Sequence, residues 1–357
     1  MQTQKMLIDK LANTKTLSKE EWITLIDGHD ADSAAYLFAQ ARDIRHQHYG
    51  KEVFQRGLIE FTNYCKQDCF YCGIRKSNPE VVRYRLSEAE ILSCCELGYE
   101  LGFRTFVLQG GEDNFFTDER LSHIIAHIHQ AFPDCAITLS IGERSFASYQ
   151  TLFKAGAQRF LLRHETHNHA HYATLHPENL SARKRQACLW DLKKIGFEVG
   201  TGFMVGSPFQ TSAHLAEDML FLKKLNPQMI GIGPFIPHHA TPFHDQCAGT
   251  LELTLFMIGL IRLMLPKVLL PSTTSLGTIA TDGREKGILA GANVVMPNLS
   301  PINTRKNYQL YDNKICLDDD ARDCRQCMEN RMNTIGYKIV VCKGDSLNLD
   351  ERNVAYV

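Results

Sequence analysis

Eight short apolar runs recur along the chain, and each is followed by a longer stretch with apolar residues at helical spacing. The first run is LIEFTN (58–63) and the last is NVVMPN (293–298). The stretch after the first run opens with a capping box formed by Ser87 and Glu90, which is typical of a helix start. Strands that alternate with helices in this way predict an α/β fold, the (β/α)8 TIM barrel, which typically needs about 250 residues.

Segments on both sides of the predicted barrel complete the chain. The N-terminal segment contains two helical patterns, LSKEEWITLIDG and DSAAYLFAQARDIRHQHYG. We therefore predict an N-terminal helical cap at residues 1–50, the barrel at residues 51–300, and a C-terminal extension with an accessory cysteine triad at residues 301–357.

Glycine or polar residues follow most of the apolar runs. Examples are QGGED (109–113), RHE (163–165) and TTSLGT (273–278). The carboxyl ends of all strands of a (β/α)8 barrel meet at one face, where enzymes with this fold keep their active sites. These residues are therefore predicted to converge at the mouth of the barrel.

Three cysteines, Cys65, Cys69 and Cys72, directly follow the first predicted strand. Three thiolates can hold three irons of a 4Fe–4S cluster, and the absence of a nearby fourth cysteine would leave one iron open to an outside ligand. A zinc site with a remote fourth ligand is the alternative. Twelve cysteines in 357 residues are too sparse for a disulfide scaffold, which favours metal binding in a reducing compartment.

Charge and hydropathy exclude several classes of partner. The 39 Lys and Arg residues nearly balance the 40 Asp and Glu residues, so no global basic field would attract nucleic acid. The start of the chain is charged throughout, unlike a signal peptide, and no run reaches the ~18 apolar residues of a membrane span. We predict a cytoplasmic protein that binds neither nucleic acid nor a membrane.

The spacing Cys-x3-Cys-x2-Cys after the first strand resembles the signature of the radical SAM superfamily. The string QGGED resembles the glycine-rich loop of the same superfamily. This resemblance implies an enzyme that binds a 4Fe–4S cluster and S-adenosyl-L-methionine (SAM) and cleaves SAM reductively to a 5′-deoxyadenosyl radical.

Further strings resemble one family of that superfamily, the HydE maturases of FeFe-hydrogenase. They are EFTNYCKQDCFYCGIRKSN, VLQGGED, RFLLRHETHN, MVGSPFQT, GIGPFIPHHATP, TTSLGT, GANVVMPN and YQLYDNKIC. The resemblance implies maturation of the hydrogenase H-cluster by assembly of its dithiomethylamine bridge. The implied partners are an organometallic iron–cysteine substrate, two sister maturases (a radical SAM tyrosine lyase and a GTPase scaffold) and an external electron donor.

The same resemblance implies roles for individual residues. Cys65, Cys69 and Cys72 would ligate the catalytic cluster. The SAM-binding residues would be Tyr71, Gly110, Gly111, Glu112, Glu165 and Arg185. The residues of the substrate cavity would be Arg163, His164, Thr273, Thr274, Met296, Tyr308 and Tyr311. For Met296 and the two tyrosines, plain packing is an equally good interpretation.

A second triad, Cys316, Cys324 and Cys327, lies near the C-terminus. Its spacing resembles an accessory iron–sulfur site of some HydE proteins, which implies a second cluster of 2Fe–2S or 4Fe–4S type. Free thiols are the alternative. Within the string RHETHNHAHYATLH, His167, His169 and His171 stand at alternating positions, and only His167 and His171 would share a face of a helix. Without a nearby carboxylate at ligand spacing, these three are predicted to lie on a solvated helix.

Two other functions fit parts of the sequence. A related radical SAM enzyme of the biotin synthase or methylornithine synthase type would share the fold and the cofactor but not the substrate. A non-catalytic metal-binding protein would need the cysteines but not the convergence at the barrel mouth. The string GIGPFIPHHATP and the C-terminal triad favour the maturase over both.

Overall fold

The structure, a computed structural model, describes residues 2–348 of the chain. Its elements are, in order, α1 (Gln2–Thr14), α2 (Lys19–Asp27), α3 (Ala31–Tyr49), β1 (Glu52–Gln55), β2 (Gly57–Thr62), α4 (Glu88–Glu100), β3 (Thr105–Gly110), α5 (Asp118–Ala131), β4 (Ala136–Ser140), α6 (Phe146–Lys154), β5 (Arg159–Leu161), α7 (His169–Leu175), α8 (Ala182–Ile195), β6 (Glu198–Thr201), β7 (Met204–Val205), α9 (Ser212–Leu225), β8 (Met229–Ile230), β9 (Gly233–Pro234), α10 (Leu251–Met264), α11 (Thr274–Ile279), α12 (Gly283–Leu289), β10 (Val294–Val295), α13 (Ile302–Arg305), α14 (Ala321–Thr334) and β11 (Lys338–Val340).

Eight parallel segments form a closed barrel. Strands β2, β3, β4, β5, β6 and β8 are hydrogen-bonded neighbours in that order. Two further segments complete the ring through isolated parallel bridges, which join Met229 to Leu269, Pro271 to Val294, and Leu58 to Asn298. The predicted (β/α)8 barrel is therefore confirmed.

The alternation of side chains along the strands separates an outer core from the barrel interior. Ile59, Leu108, Leu139, Phe160 and Val199 stand in one register row across five strands, and all are buried among apolar side chains of the surrounding helices. Successive strand residues point to opposite faces, so the neighbours of this row point inward. The interior thus receives the polar side chains at the strand ends.

The N-terminal helices share a core with the barrel. Helix α3 packs so closely on α10 that a Cβ added at Gly259 would lie 2.9 Å from Cγ of Leu37. Buried Arg45, also on α3, donates hydrogen bonds to the carbonyls of Ala292, Gly50 and Glu52. These contacts fix α3 against the end of the barrel opposite to the mouth.

The C-terminal segment returns to the same end. Strand β11 pairs in parallel with β1, which in turn pairs with β10 of the barrel. The last part of the predicted C-terminal extension, residues 349–357, lies outside the described residues. Between residues 2 and 348, none of the helices is both long enough and apolar enough to cross a membrane.

Replacement of Leu37 by Ala should destabilise the protein, because the side chain is fully buried between α3 and α10. We expect a loss of about 3 kcal/mol in the free energy of unfolding, from lost burial and the cavity left behind. Urea unfolding under anaerobic conditions measures it. Asp43→Ala, on the exposed face of the same helix, is the matched control and should change stability by less than about 0.5 kcal/mol. Equal effects of the two substitutions would contradict the packing of α3.

Candidate radical SAM site

The cysteine loop follows β2 and is held by three separate parts of the molecule. Its backbone N–H groups at Lys66, Phe70 and Gly73 donate to carbonyls of Glu112, Leu175 and Leu310, at 3.0, 3.0 and 2.9 Å. These acceptors belong to the loop after β3, to the end of α7 and to the C-terminal segment. These three hydrogen bonds fix the conformation of a loop that has no regular secondary structure.

The three thiols Cys65, Cys69 and Cys72 face one cavity. Burial raises the pKa of all three, that of Cys72 to about 12, because a thiolate is unfavourable in an apolar environment. A bound metal centre removes this cost, since it stabilises the thiolates. Among the described residues that line the cavity there is neither a fourth cysteine nor a histidine. The donor set therefore fits a cluster with one iron left open.

The glycines after β3 allow the second loop to approach the cysteine loop. A Cβ added at Gly111 would lie 2.2 Å from the carbonyl oxygen of Tyr64 and 2.8 Å from Cβ of Cys65, so no side chain fits there. Gly142 has φ +75° and faces the side chain of Glu112 in the same way. Gly110 and Gly111 line the cavity as expected.

The carboxylate of Glu112 joins the neighbouring loops. It accepts hydrogen bonds from Nε2 of Gln67 at 2.7 Å and from the backbone N–H of Glu143 at 3.0 Å, and Nζ of Lys66 lies 3.5 Å away. Glu112 therefore ties the cysteine loop to the loop after β4 while one side of it borders the cavity.

Arg163, Arg185 and Glu165 line the same cavity as the cysteines, and a further carboxylate, Glu143, contacts Arg185. Arg185, in the first turns of α8, donates from Nε to the carbonyl of Arg163 at 2.6 Å and from Nη1 to Glu143 at 3.3 Å. Arg163 and Glu165 form an ion pair at 3.2 Å, and Glu165 has a positive φ of 65°. Charges of both signs thus meet at one cavity. Glu143, the last residue of SIGE (140–143) after β4, contacts this group and is a residue that our sequence analysis missed.

Tyr71 lies between two cysteines and is fixed by a buried histidine. Nδ1 of His176 donates to the carbonyl of Tyr172 at 2.9 Å, so Nε2 accepts the hydrogen bond from the Tyr71 hydroxyl at 3.2 Å. Burial lowers the pKa of His176 to about 3, which keeps the imidazole neutral. The phenol ring is thereby held at the cavity wall.

The cavity has a volume of about 290 Å³ and receives most of the predicted site residues. The three cysteines, Tyr71, Gly110, Gly111, Glu112, Arg163, Glu165, Arg185, Tyr308 and Tyr311 line it. The sequence analysis missed several lining residues, among them Gln109, Ser140, Met204 and Ser275. Gln109 and Ser140 were recoverable, because each is the last polar residue before a strand end.

Four predicted cavity residues lie elsewhere. His164 is fully buried outside the barrel interior, with its ring nitrogens 2.9 Å from Thr201 and 3.2 Å from Asp218, so the expectation that it lines the cavity is wrong. The hydroxyl of Thr273 is hydrogen-bonded at 2.9 Å to the hydroxyl of Ser275, and Ser275 itself lines the cavity. Thr274 and Met296 border a separate, smaller cavity.

That smaller cavity adjoins the C-terminal cysteines. Ligand atoms of Cys316, Asp319 and Cys324 all lie within 4.8 Å of one another, whereas Cys327 is exposed and stands outside this group. Nη2 of Arg284 donates to Sγ of Cys316 at 3.3 Å. The structure thus brings together two of the three predicted cysteines, with an aspartate that the spacing of cysteines did not reveal.

The histidines near Glu165 are less exposed than predicted. His171 is buried, with Nδ1 3.1 Å from the hydroxyl of Thr166 and Nε2 3.0 Å from the carbonyl of Pro208. Its ring stacks on that of His214. The solvated-helix prediction is therefore wrong for His171, which instead braces the loop that carries Glu165.

Comparisons with known proteins agree with this site. Residues 59–222 match the model of the radical SAM superfamily. The chain is 42% identical over 302 residues to the "[FeFe] hydrogenase maturase subunit HydE" of Thermotoga maritima, an alignment that covers 85% of this chain and 86% of that protein. It is 27% identical over 323 residues to the 3-methylornithine synthase of Methanosarcina acetivorans, which covers 90% of each. A crystal structure of methylornithine synthase superposes with a TM-score of 0.82 at 26% identity, over 94% of this chain and 97% of that one. The chain therefore belongs to the HydE family of radical SAM enzymes.

Proposed function

We propose that this chain matures FeFe-hydrogenase and acts in the assembly of the dithiomethylamine bridge of the H-cluster. The observation that carries the proposal is the set of three partly buried thiols that face a 290 Å³ cavity, where the described lining holds neither a fourth cysteine nor a histidine, in a chain 42% identical to a HydE protein. A 4Fe–4S cluster and SAM, bound there, would supply one-electron cleavage of the sulfonium to methionine and a 5′-deoxyadenosyl radical.

The charged residues at this cavity suit the two ends of an amino acid. We assign the SAM carboxylate to Arg185 and its ammonium to Glu165, because a guanidinium and a carboxylate bind groups of the opposite charge best where water is excluded. Glu143 holds Arg185 in place through the 3.3 Å contact. The backbone of Gly110 and Gly111, with Glu112, borders the methionyl end, and Tyr71 borders the adenine.

The rest of the cavity is assigned to the organometallic substrate. Arg163, Tyr308 and Tyr311 project into it and offer one cationic and two phenolic groups to carboxylate or cyanide ligands. Three other predicted residues do not line the cavity, so they would affect the substrate only through the residues that do. They are Thr273, Thr274 and Met296. The sister maturases and an external electron donor complete the set of partners, and a cytoplasmic location stays a prediction.

A second iron–sulfur cluster is part of the proposal. Cys316 and Cys324 supply two thiolates, and Asp319 or Cys327 supplies further ligands. The 27% identity to a methylornithine synthase leaves that activity as the runner-up. The C-terminal cysteines and the higher identity to the maturase favour the maturase.

The direct test is hydrogenase maturation. An FeFe-hydrogenase is expressed anaerobically with its other maturases and either this chain, Cys69→Ala, or the control Cys247→Ala, which alters an exposed cysteine. We expect hydrogen evolution with wild type and Cys247→Ala, and none with Cys69→Ala, because the cluster needs all three thiolates. Purified Cys69→Ala should also form no 5′-deoxyadenosine. Active hydrogenase without this chain would overturn the proposal.

The assignment of Arg185 predicts a selective loss of SAM affinity. Arg185→Gln should raise the Kd of SAM at least tenfold, because it removes a charge-assisted hydrogen bond of about 1.5–3 kcal/mol. Anaerobic calorimetric titration of the reconstituted protein measures the Kd. Arg183→Gln is the matched control, since Arg183 is exposed on the same turn of α8. An unchanged Kd in Arg185→Gln would remove this residue from the SAM site.

The C-terminal triad should be dispensable for SAM cleavage. It lies beyond the eighth barrel segment, so electrons and SAM reach the first cluster without passing through it. Replacing Cys316, Cys324 and Cys327 by Ser should lower the iron content per chain but preserve the 5′-deoxyadenosine yield under dithionite. Cys247→Ser serves as the control for a thiol change alone. Lost cleavage in a triple variant that keeps the spectrum of the first cluster would make the second cluster an obligatory relay.

A further inference from the structure

A ladder of cations and aromatic rings lies on the surface beside the cysteine loop. The guanidinium carbon of Arg120 lies 4.0 Å from the centre of the Phe115 ring, and that of Arg85 lies 4.7 Å from the same ring. Arg85 also covers the ring of Tyr64 at 3.8 Å. We call these four residues, Tyr64, Arg85, Phe115 and Arg120, the cation–aromatic ladder.

The ladder is anchored at its centre. Nε and Nη2 of Arg85 donate to the two carboxylate oxygens of Asp113 at 2.6 and 3.0 Å. Asp113 is almost fully buried and also accepts from the hydroxyl of Thr62, the last residue of β2. A bidentate pair of this kind fixes the guanidinium plane, so both rings are held in defined positions.

The outer members of the ladder face solvent. Phe115 is 43% exposed, Tyr64 is 36% exposed, and nearby Val82 is 67% exposed. No ion-pair partner of the Arg120 guanidinium is found among residues 2–348. The side chain of Lys66 is 46% exposed, but its Nζ lies 3.5 Å from the carboxylate of Glu112, so its charge is already paired. The folded chain alone gains little from aromatic rings and cations left in water, whereas Tyr, Phe and Arg are enriched at the centre of protein–protein interfaces.

The ladder is joined directly to the cluster ligands. Tyr64 precedes Cys65 in the chain and Lys66 follows it, while Phe115 comes four residues after Gly111. The carbonyl of Tyr64 is the atom against which Gly111 packs. A protein seated on the ladder would therefore contact the outer side of the loop whose inner side carries the cysteines.

We propose that the cation–aromatic ladder is the docking surface for an acidic protein that delivers single electrons to the cluster. The inference rests on the proposed function, because each reductive cleavage of SAM would consume one electron. The donor would be oxidised by one electron, and a cluster held by Cys65, Cys69 and Cys72 would supply that electron for breaking the carbon–sulfur bond to methionine and the 5′-deoxyadenosyl radical. Arg120, which is exposed, supplies positive charge for an acidic donor, and Phe115 and Tyr64 supply the apolar contact.

The test measures binding rather than turnover. Oxidised flavodoxin, an acidic flavin protein, is titrated into the reconstituted enzyme by calorimetry at low and high salt. We expect the double variant Arg120→Glu with Phe115→Ser to raise the Kd at least tenfold and to flatten its salt dependence, because charge complementarity and a central aromatic contact are both removed. Arg322→Glu, which reverses an exposed charge on α14, is the matched control and should bind as wild type does.

A second readout separates docking from cluster chemistry. When the double variant is mixed with reduced flavodoxin, the visible absorbance of its iron–sulfur cluster should bleach more slowly than that of wild type. With dithionite, which needs no docking surface, the double variant should form 5′-deoxyadenosine at the wild-type rate. If the double variant loses the dithionite reaction, the same two measurements are made on the single variant Arg120→Gln, since it changes only an exposed guanidinium. If the variants bind flavodoxin with the same Kd as the wild-type enzyme, the proposed docking surface is wrong. Failure of wild-type enzyme to cleave SAM with dithionite would instead overturn the proposed function and leave the binding result standing.

Discussion

The backbone hydrogen bonds that hold the cysteine loop are the interaction on which the site depends. The loop has no regular secondary structure, and its N–H groups at Lys66, Phe70 and Gly73 reach three segments that are far apart in the sequence. A buried N–H without a partner is costly, so these three bonds select one loop conformation from many. The positions of the three thiols follow from that conformation.

The same loop is pressed against its neighbours by packing as well as by hydrogen bonds. Gly111 allows contact with Tyr64 and Cys65, and the carboxylate of Glu112 joins two loops that different strands carry. The barrel brings these strand ends together, but the fit between the loops is set by side-chain-free backbone at one residue. A Gly111→Ala substitution has no space here, and the loops would separate.

The alternation of strands and helices predicted the barrel, and the spacing of three cysteines predicted the metal site, because both are local signals. Most residues that line the cavity were instead implied by the resemblance to a known family. The failure at His164 concerns side-chain direction. Arg163 and Glu165 line the cavity, whereas His164, between them, is buried against Thr201 and Asp218. Position within the short string RHE was therefore a poor guide to which side chains line the cavity.

The sequence analysis also missed Asp319 and the burial of His171, because both depend on tertiary contacts that no local pattern encodes. Asp319 joins Cys316 and Cys324 only because the chain before α14 turns back on itself, with Cys316 at a positive φ of 63°. His171 is buried because Pro208 and His214, more than thirty residues away in the chain, close over it. Such long-range partners cannot be read from spacing.

The C-terminal segment contributes to the cavity that the cysteines face. The cysteines line one end of this cavity, and other segments form its remaining walls. Tyr308, Leu310 and Tyr311 form one such wall, and they come from beyond the last barrel segment. This segment is locked to the barrel by a buried pair, in which Nζ of Lys314 lies 2.6 Å from Glu60 and donates to the carbonyl of Tyr308 at 2.8 Å. Because Glu60 is an inward residue of β2, the wall is fixed to the same strand that leads into the cysteine loop. The distance between the three cysteines and this wall is therefore set within one short stretch of structure.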